Sequence, residues 1–218
     1  MTNSFEVALF PIPNVVAFPG MIVPLHVFEP RYRTMISDCV EKERMIAVCH
    51  TLKEIRPAKT DQSVKDALSS NQATYEPQPI FSAGLCQVME TTPDGRIYIN
   101  IRMERRLRYL SEIQTLPYRI VSCEGVDDLV VSSTDSSERA ATLQRQIVGE
   151  IRNLLGKQSP TALAQFDTDQ WLDMDNRDFS FRVFQLLRLD PDTMQAVLEM
   201  TSPVDRLEVI EAVLREHI

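Results

Sequence analysis

Five aspartates fall within the stretch DTDQWLDMDNRD (Asp167, Asp169, Asp173, Asp175 and Asp178), and carboxylates at that spacing suggest a hard cation such as calcium. An EF-hand-type loop also needs a central glycine for its turn and a closing glutamate that binds through both oxygens. This stretch has neither. The aspartates therefore read as a solvated loop that caps the next helix, with Trp171 anchoring it by its ring. A second cluster, Arg102, Arg105, Arg106 and Arg108, is the one run able to neutralise phosphates. In an extended strand Arg102, Arg106 and Arg108 share one face, and Tyr98 and Tyr109 lie near enough to stack on bases. Glu104 falls on that face too. The run reads first as a salt-bridged sheet surface and second as an RNA site.

Catalytic constellations are not visible. Gly156-Lys157 is followed by glutamine and lacks the upstream glycine of a phosphate loop, and neither GxGxxG nor GxSxG occurs. His26, His50 and His217 are far apart and show no metal-ligand spacing; His50 closes a predicted strand and reads as structural. Cys39, Cys49, Cys86 and Cys123 form no CxxC, and most sit in apolar surroundings where cysteine serves as a small buried hydrophobe. The expectation is a non-enzymatic protein with no catalytic residue, no metal and no cofactor.

The elements that must position any site divide the chain in two. Residues 1–125 carry equal numbers of acidic and basic residues, so the net charge of −8 comes entirely from 126–218. An acidic chain is a poor general partner for nucleic acid. The opening MTNSFEVALFPIP has no basic leader, and no apolar run approaches the roughly 18 residues needed to cross a bilayer. The expected setting is the cytoplasm, without a membrane. Thirteen prolines against six glycines imply edge strands and rigid corners.

Alternation predicts a strand over 5–10, extended pieces over 14–28, a helix from Pro30 and a buried strand over 45–49. Residues 51–79 read as a long polar loop, with a helical turn near Val64–Leu68. Strands return over 84–125, where Pro93-Asp94-Gly95 marks a hairpin. Beyond 126 the pattern is helical. Helices are predicted over Glu138–Leu155, stopped by Gly156; over Asp178–Leu189; over Pro191–Met200 behind Asp190; and from Ser202-Pro203 onward. The predicted division is 1–125 as a β-rich domain with one helix and 126–218 as a helical subdomain.

The segment LFPIPNVVAFPGMIVPLHVFEPRY, Leu9 to Tyr32, closely resembles the opening of the Lon protease amino-terminal, substrate-binding domain. The matching positions include Pro11, Asn14, Phe18, Pro19, Gly20, Pro24, Leu25, Phe28, Glu29, Pro30, Arg31 and Tyr32. Gly84, the Pro93-Asp94-Gly95-Arg96 turn, Pro117-Tyr118 and the last two helices also fit that pattern. Met103 and Leu107 stand where the family usually has a glycine and an aromatic. The resemblance implies an α+β protein: a PUA-like, partly closed β-barrel followed by a C-terminal helical bundle. It also implies binding of unfolded or tagged polypeptides, or of protease or chaperone components, without the ATPase and peptidase modules of Lon. Pro19, Met21, Ile22 and Pro24 are the expected polypeptide-binding residues, because a proline-interrupted strand belongs at an edge that can accept another chain. A PUA-like RNA-binding module using Arg102, Arg106 and Arg108 is the alternative.

Overall fold

The computed structural model describes residues 4–58, 70–129 and 134–216. They fall into two compact units, one made of the described residues within 1–126 and 189–198, the other of those within 127–188 and 199–218.

The first unit is built on eight strands. They are β1 (Ser4–Pro11), β2 (Ile22–Val27), β3 (Ile46–Cys49), β4 (Thr51–Arg56), β5 (Thr74–Pro77), β6 (Ile80–Thr91), β7 (Ile97–Gln114) and β8 (Ile120–Gly125). The main sheet runs β2-β7-β6-β3-β1-β8, and β7 pairs β8 as well, so five strands close on themselves and β2 remains outside. That is the partly closed barrel. The parallel pair β1–β3 needs a crossover, and helix α1 (Pro30–Glu41) lies within it. Pro30 starts α1 because a proline at the first helical position sacrifices only an amide that has no helical partner.

Two apolar cores result. Val7, Leu9, Ala47, Cys49, Phe81, Ala83, Leu107, Val121 and Cys123 come from all five closed strands and fill the barrel. Ala8, Phe10, Ile46, Val48, Ile99, Ile101 and Met103 pack with Tyr32, Met35, Ile36 and Cys39 of α1. Adjacent residues of β1 and β3 thus serve different cores, as period-two geometry requires. In β7 the assignment changes partway, since Met103 faces one core and Leu107 the other. The cause is a register shift: Gly84 opposes Met103 and Ala83 opposes Arg105, which leaves Glu104 as an extra residue. One extra residue exchanges the faces of everything beyond it. The two departures from the family pattern, Met103 and Leu107, are therefore core-filling side chains, 1% and 0% exposed.

Residues 51–79 are not a featureless loop. β4 and β5 pair into a separate two-stranded ribbon, β4 largely exposed and β5 half-buried, and neither alternates in burial. The helical turn expected at Val64–Leu68 lies outside the described residues. The Pro93-Asp94-Gly95 turn joins β6 to β7 as predicted, and Gly95 supplies its φ of 81°.

The second unit holds α2 (Thr134–Gln158), α3 (Pro160–Gln165), α4 (Thr168–Leu172), α5 (Asn176–Arg182) with a 3₁₀ turn over Val183–Gln185, and α7 (Pro203–Glu216). Gly156 does not stop α2. The helix continues to Gln158 and ends where Ser159 caps α3, its hydroxyl accepting from the Ala162 amide at 3.3 Å. Asp167 and Asp175 accept from the amides of Gln170 and Arg177 and cap α4 and α5. Trp171 lies between the Phe166 and Phe179 rings, and its carbonyl accepts from Gln144 Nε2 at 2.7 Å. Ser202 caps α7 through the Asp205 amide at 3.2 Å.

The predicted boundary at 125/126 misplaces one helix. Helix α6 (Pro191–Glu199), capped by Asp190 through the Thr193 amide, contributes its residues up to Leu198 to the barrel unit. There Gln195 Nε2 donates to the Ile80 carbonyl at 2.9 Å, and Arg106 donates to the Leu198 carbonyl at 2.8 Å.

Candidate functional site

The sheet ends on β2, and that edge carries the residues expected to bind polypeptide. Met103 donates to the Met21 carbonyl at 2.9 Å, and Gly20 donates to the Met103 carbonyl at 2.8 Å. By the antiparallel alternation that follows, residues 23, 25 and 27 direct their backbone groups to β7, while Ile22, Pro24 and His26 turn theirs to the open edge. Pro24 thus sits where its missing N–H costs no ladder bond. Ile22 is 55% exposed and Pro24 is exposed, whereas Pro19 and Met21 are half-buried. The Met21 sulfur accepts from the Phe18 amide at 3.3 Å, and Phe18 is fully buried. Of the four expected residues, Ile22 and Pro24 are presented to solvent and Pro19 and Met21 hold the entry to β2.

Register extends this edge into a face. Ile22 and Leu85 flank Arg102, Pro24 and Gln87 flank Asn100, and His26 and Glu90 flank Tyr98. Leu85, Met89 and Tyr98 are exposed with Ile22. His26 stacks on Tyr98 with centroids 4.5 Å apart, which fixes that ring. Sequence reading missed Leu85 and Tyr98 as members of one surface with Ile22, because alternation names two faces without saying which meets water; Met89, also exposed, is the extra residue at the β6 bulge.

The arginine run does not form a shared face. Beyond the Glu104 bulge the phase reverses, so Arg102 lies on the outer face, while Arg106 is 3% exposed and bonded to the Leu198 carbonyl. Arg108 is exposed and pairs Glu124 at 3.4 Å. The expected set Arg102, Arg106 and Arg108 is thus dispersed, and Arg106 cannot reach a nucleic acid without leaving the interior.

The FEPRY residues form a clamp. Arg31 pairs Glu29 at 2.8 Å and donates to the Ala73 carbonyl at 2.7 Å and the Thr74 hydroxyl at 3.0 Å. Glu29 accepts from the Gln72 amide at 3.0 Å. This pins residues 72–74, and so the start of β5, to the first turn of α1. His50 Nδ1 accepts from the Asn14 amide at 3.1 Å, and its Nε2 lies 3.6 Å from Asp192.

No group of acidic, histidine or cysteine residues able to hold a metal occurs among the described residues. The cysteines are all free. Burial pushes the Cys39 and Cys123 thiols up to about 12 and Cys86 to about 11, and raises Cys49 further. A thiolate nucleophile is therefore scarce near neutral pH. We expect Ellman's reagent at pH 8 to label Cys39, Cys49 and Cys123 within minutes only after denaturation, whereas Cys86 is half-buried. Rapid labelling of two or more in the native protein would contradict the buried placement.

A family model for the ATP-dependent protease La (LON) substrate-binding domain matches residues 6–216. The chain belongs to this family. A Lon protease 1 of Herpetosiphon aurantiacus is 22% identical over 213 residues, which is 98% of this chain and 24% of that protein. The chain thus spans about a quarter of that relative's length. Among solved structures, the N-terminal domain of the Mycobacterium avium complex Lon protease superposes with a TM-score of 0.69 at 14% identity, covering 98% of this chain and all of that one. A Lon N-terminal domain protein from Xanthomonas campestris gives 0.59 at 21% identity, covering 95% of this chain and 97% of that one. The α+β fold of this LON family member is that of the Lon N-terminal domain. No helix among its described residues is long and apolar enough to cross a membrane.

Proposed function

We propose that this LON-family chain is a non-catalytic polypeptide-binding protein that captures unfolded or tagged segments on the outer face of β2, β7 and β6. The observation carrying this reading is the coincidence of an open strand edge with exposed Ile22, Leu85, Met89 and Tyr98 on the sheet it borders. An extended client can add backbone hydrogen bonds along β2 while every second side chain rests on that mixed face, against Ile22, Leu85 and Tyr98. Met89 suits varied clients, since its unbranched thioether adapts to different shapes. In this reading the chain acts in the cytoplasm as a substrate receptor or adaptor for a protease or chaperone, with no cofactor.

The test is titration of a labelled, permanently unfolded protein, such as reduced carboxymethylated α-lactalbumin, followed by fluorescence anisotropy. Ile22→Ser with Leu85→Ser should weaken binding at least about tenfold, as expected when two apolar contacts of about 1 kcal/mol each are lost. Thermal stability should change little, because both side chains are already exposed. Unchanged affinity would move the binding surface elsewhere. Competition by RNA, lost on Arg102→Ala with Arg108→Ala, would instead favour the nucleic-acid alternative on the two exposed arginines.

A further inference from the structure

A cavity of about 600 Å³ lies among residues of the β4–β5 ribbon, α1 and the β7–β8 hairpin. A second, of about 390 Å³, shares Pro11, Tyr32 and Gln72 with it. Tyr32, in both walls, is only 7% exposed; its ring packs on Phe10 at 4.2 Å between centroids, and the Arg31 guanidinium lies 4.6 Å from the ring. Its hydroxyl bonds no described residue and is not among the buried polar atoms that lack a partner, so it is open to solvent and available to a ligand. The nearby Tyr118 instead donates to Asp38 at 2.7 Å. Burial raises the Tyr32 phenol far above its ordinary value, so it stays a neutral donor.

The charges in the wall are unequal. Arg119 pairs Glu112 at 2.7 Å and Arg31 pairs Glu29 at 2.8 Å, whereas Arg56 has no ion-pair partner among the described residues. One positive charge and one solvent-accessible donor are left. Ile55 and Leu116, 57% and 79% exposed, add apolar surface at the same cavity.

We propose that this cavity binds a ligand ending in a single carboxylate beside an apolar side chain. The Tyr32 hydroxyl and the Arg56 guanidinium receive the carboxylate beside the Arg119–Glu112 pair, and Ile55 and Leu116 cover the apolar group. A doubly charged phosphate fits less well, because its second charge would face Glu112 without a cation to balance it. Two sources share this chemistry, a small free carboxylic acid and the carboxyl end of a polypeptide. The second rests on the polypeptide-binding reading above; the first does not.

The experiment is calorimetric titration of the full chain with N-acetyl-leucine and with N-acetyl-leucinamide. A short peptide ending in leucine, with a free or an amidated terminus, is titrated alongside. The acid should bind at least about tenfold tighter than the amide, since a hydrogen bond to a charged group is worth on the order of 1.5–3 kcal/mol. Tyr32→Phe should weaken the acid about tenfold and leave the amide and the melting temperature unchanged, because the lost hydroxyl holds nothing in the fold. A free-terminus peptide that binds tighter than the acid assigns the site to polypeptide ends; an acid that binds while neither peptide does assigns it to a small metabolite. Equal affinity for acid and amide, no binding of either, or indifference to Tyr32→Phe overturns the proposal. The Ile22→Ser, Leu85→Ser variant should bind the acid normally, which separates failure here from failure of the β2 face.

Discussion

Replacing Arg206 by alanine is expected to cost about 3–5 kcal/mol, the range seen when one partner of a buried ion pair is removed. Arg206 is 0% exposed, and its guanidinium grips both carboxylate oxygens of Asp128, at 2.7 and 2.6 Å. It also donates to the Met200 carbonyl and the Ser180 hydroxyl, both at 2.9 Å, and stacks over the Phe181 ring at 4.0 Å. The single change takes from Asp128, whose side chain is 5% exposed, the guanidinium that binds both its oxygens; Arg177 also pairs it, at 3.3 Å. Removing both charges is a different experiment. Arg206→Met with Asp128→Leu should recover a good part of the loss, since no charge then stays buried alone. Trp171, the only tryptophan, belongs to the same unit, so its fluorescence in a urea titration reports on this pair directly. A loss below about 1 kcal/mol for Arg206→Ala would show that the pair is dispensable.

The second large effect is expected in the barrel. Gly84→Ala should destabilise by about 3 kcal/mol or more, beyond the usual overpacking penalty. A Cβ built on Gly84 would lie 1.7 Å from the Arg102 carbonyl oxygen and 2.9 Å from the Met103 Cα, all backbone and unable to rotate away. The bulge at Glu104 brings the β7 backbone into this position, so the glycine and the bulge depend on each other. Gly149→Ala is the control. It lies within α2 with nothing inside 4 Å of its would-be Cβ, so the same exchange there should stabilise by about 0.5–1 kcal/mol. Thermal unfolding followed by circular dichroism reads both. A tolerated Gly84→Ala would mean that β6 and β7 can shift register, and the assignment of faces in β7 would have to be revised.

Local rules made much of this molecule legible in its sequence. Proline at the start of α1, the caps at Asp190 and Ser202, and the hairpin at Pro93-Asp94-Gly95 depend on residues within four positions of one another. The density of matches between Leu9 and Tyr32 carried the fold, and the proline in β2 marked the open edge. The tertiary structure decided what depends on distant partners. One extra residue at Glu104 reversed the phase of β7 and dispersed the arginines, a change that period-two counting cannot detect. Buried Arg106 donates a hydrogen bond to a carbonyl 92 residues away, and α6 belongs to the barrel unit partly through Gln195 bonding a carbonyl 115 residues away. The β4–β5 ribbon has no alternating burial to imprint a pattern, and Tyr32 becomes part of a cavity only when the walls around it are assembled. Sequence fixes short-range hydrogen bonding and burial period, whereas the membership of a surface or cavity depends on which segments meet in space.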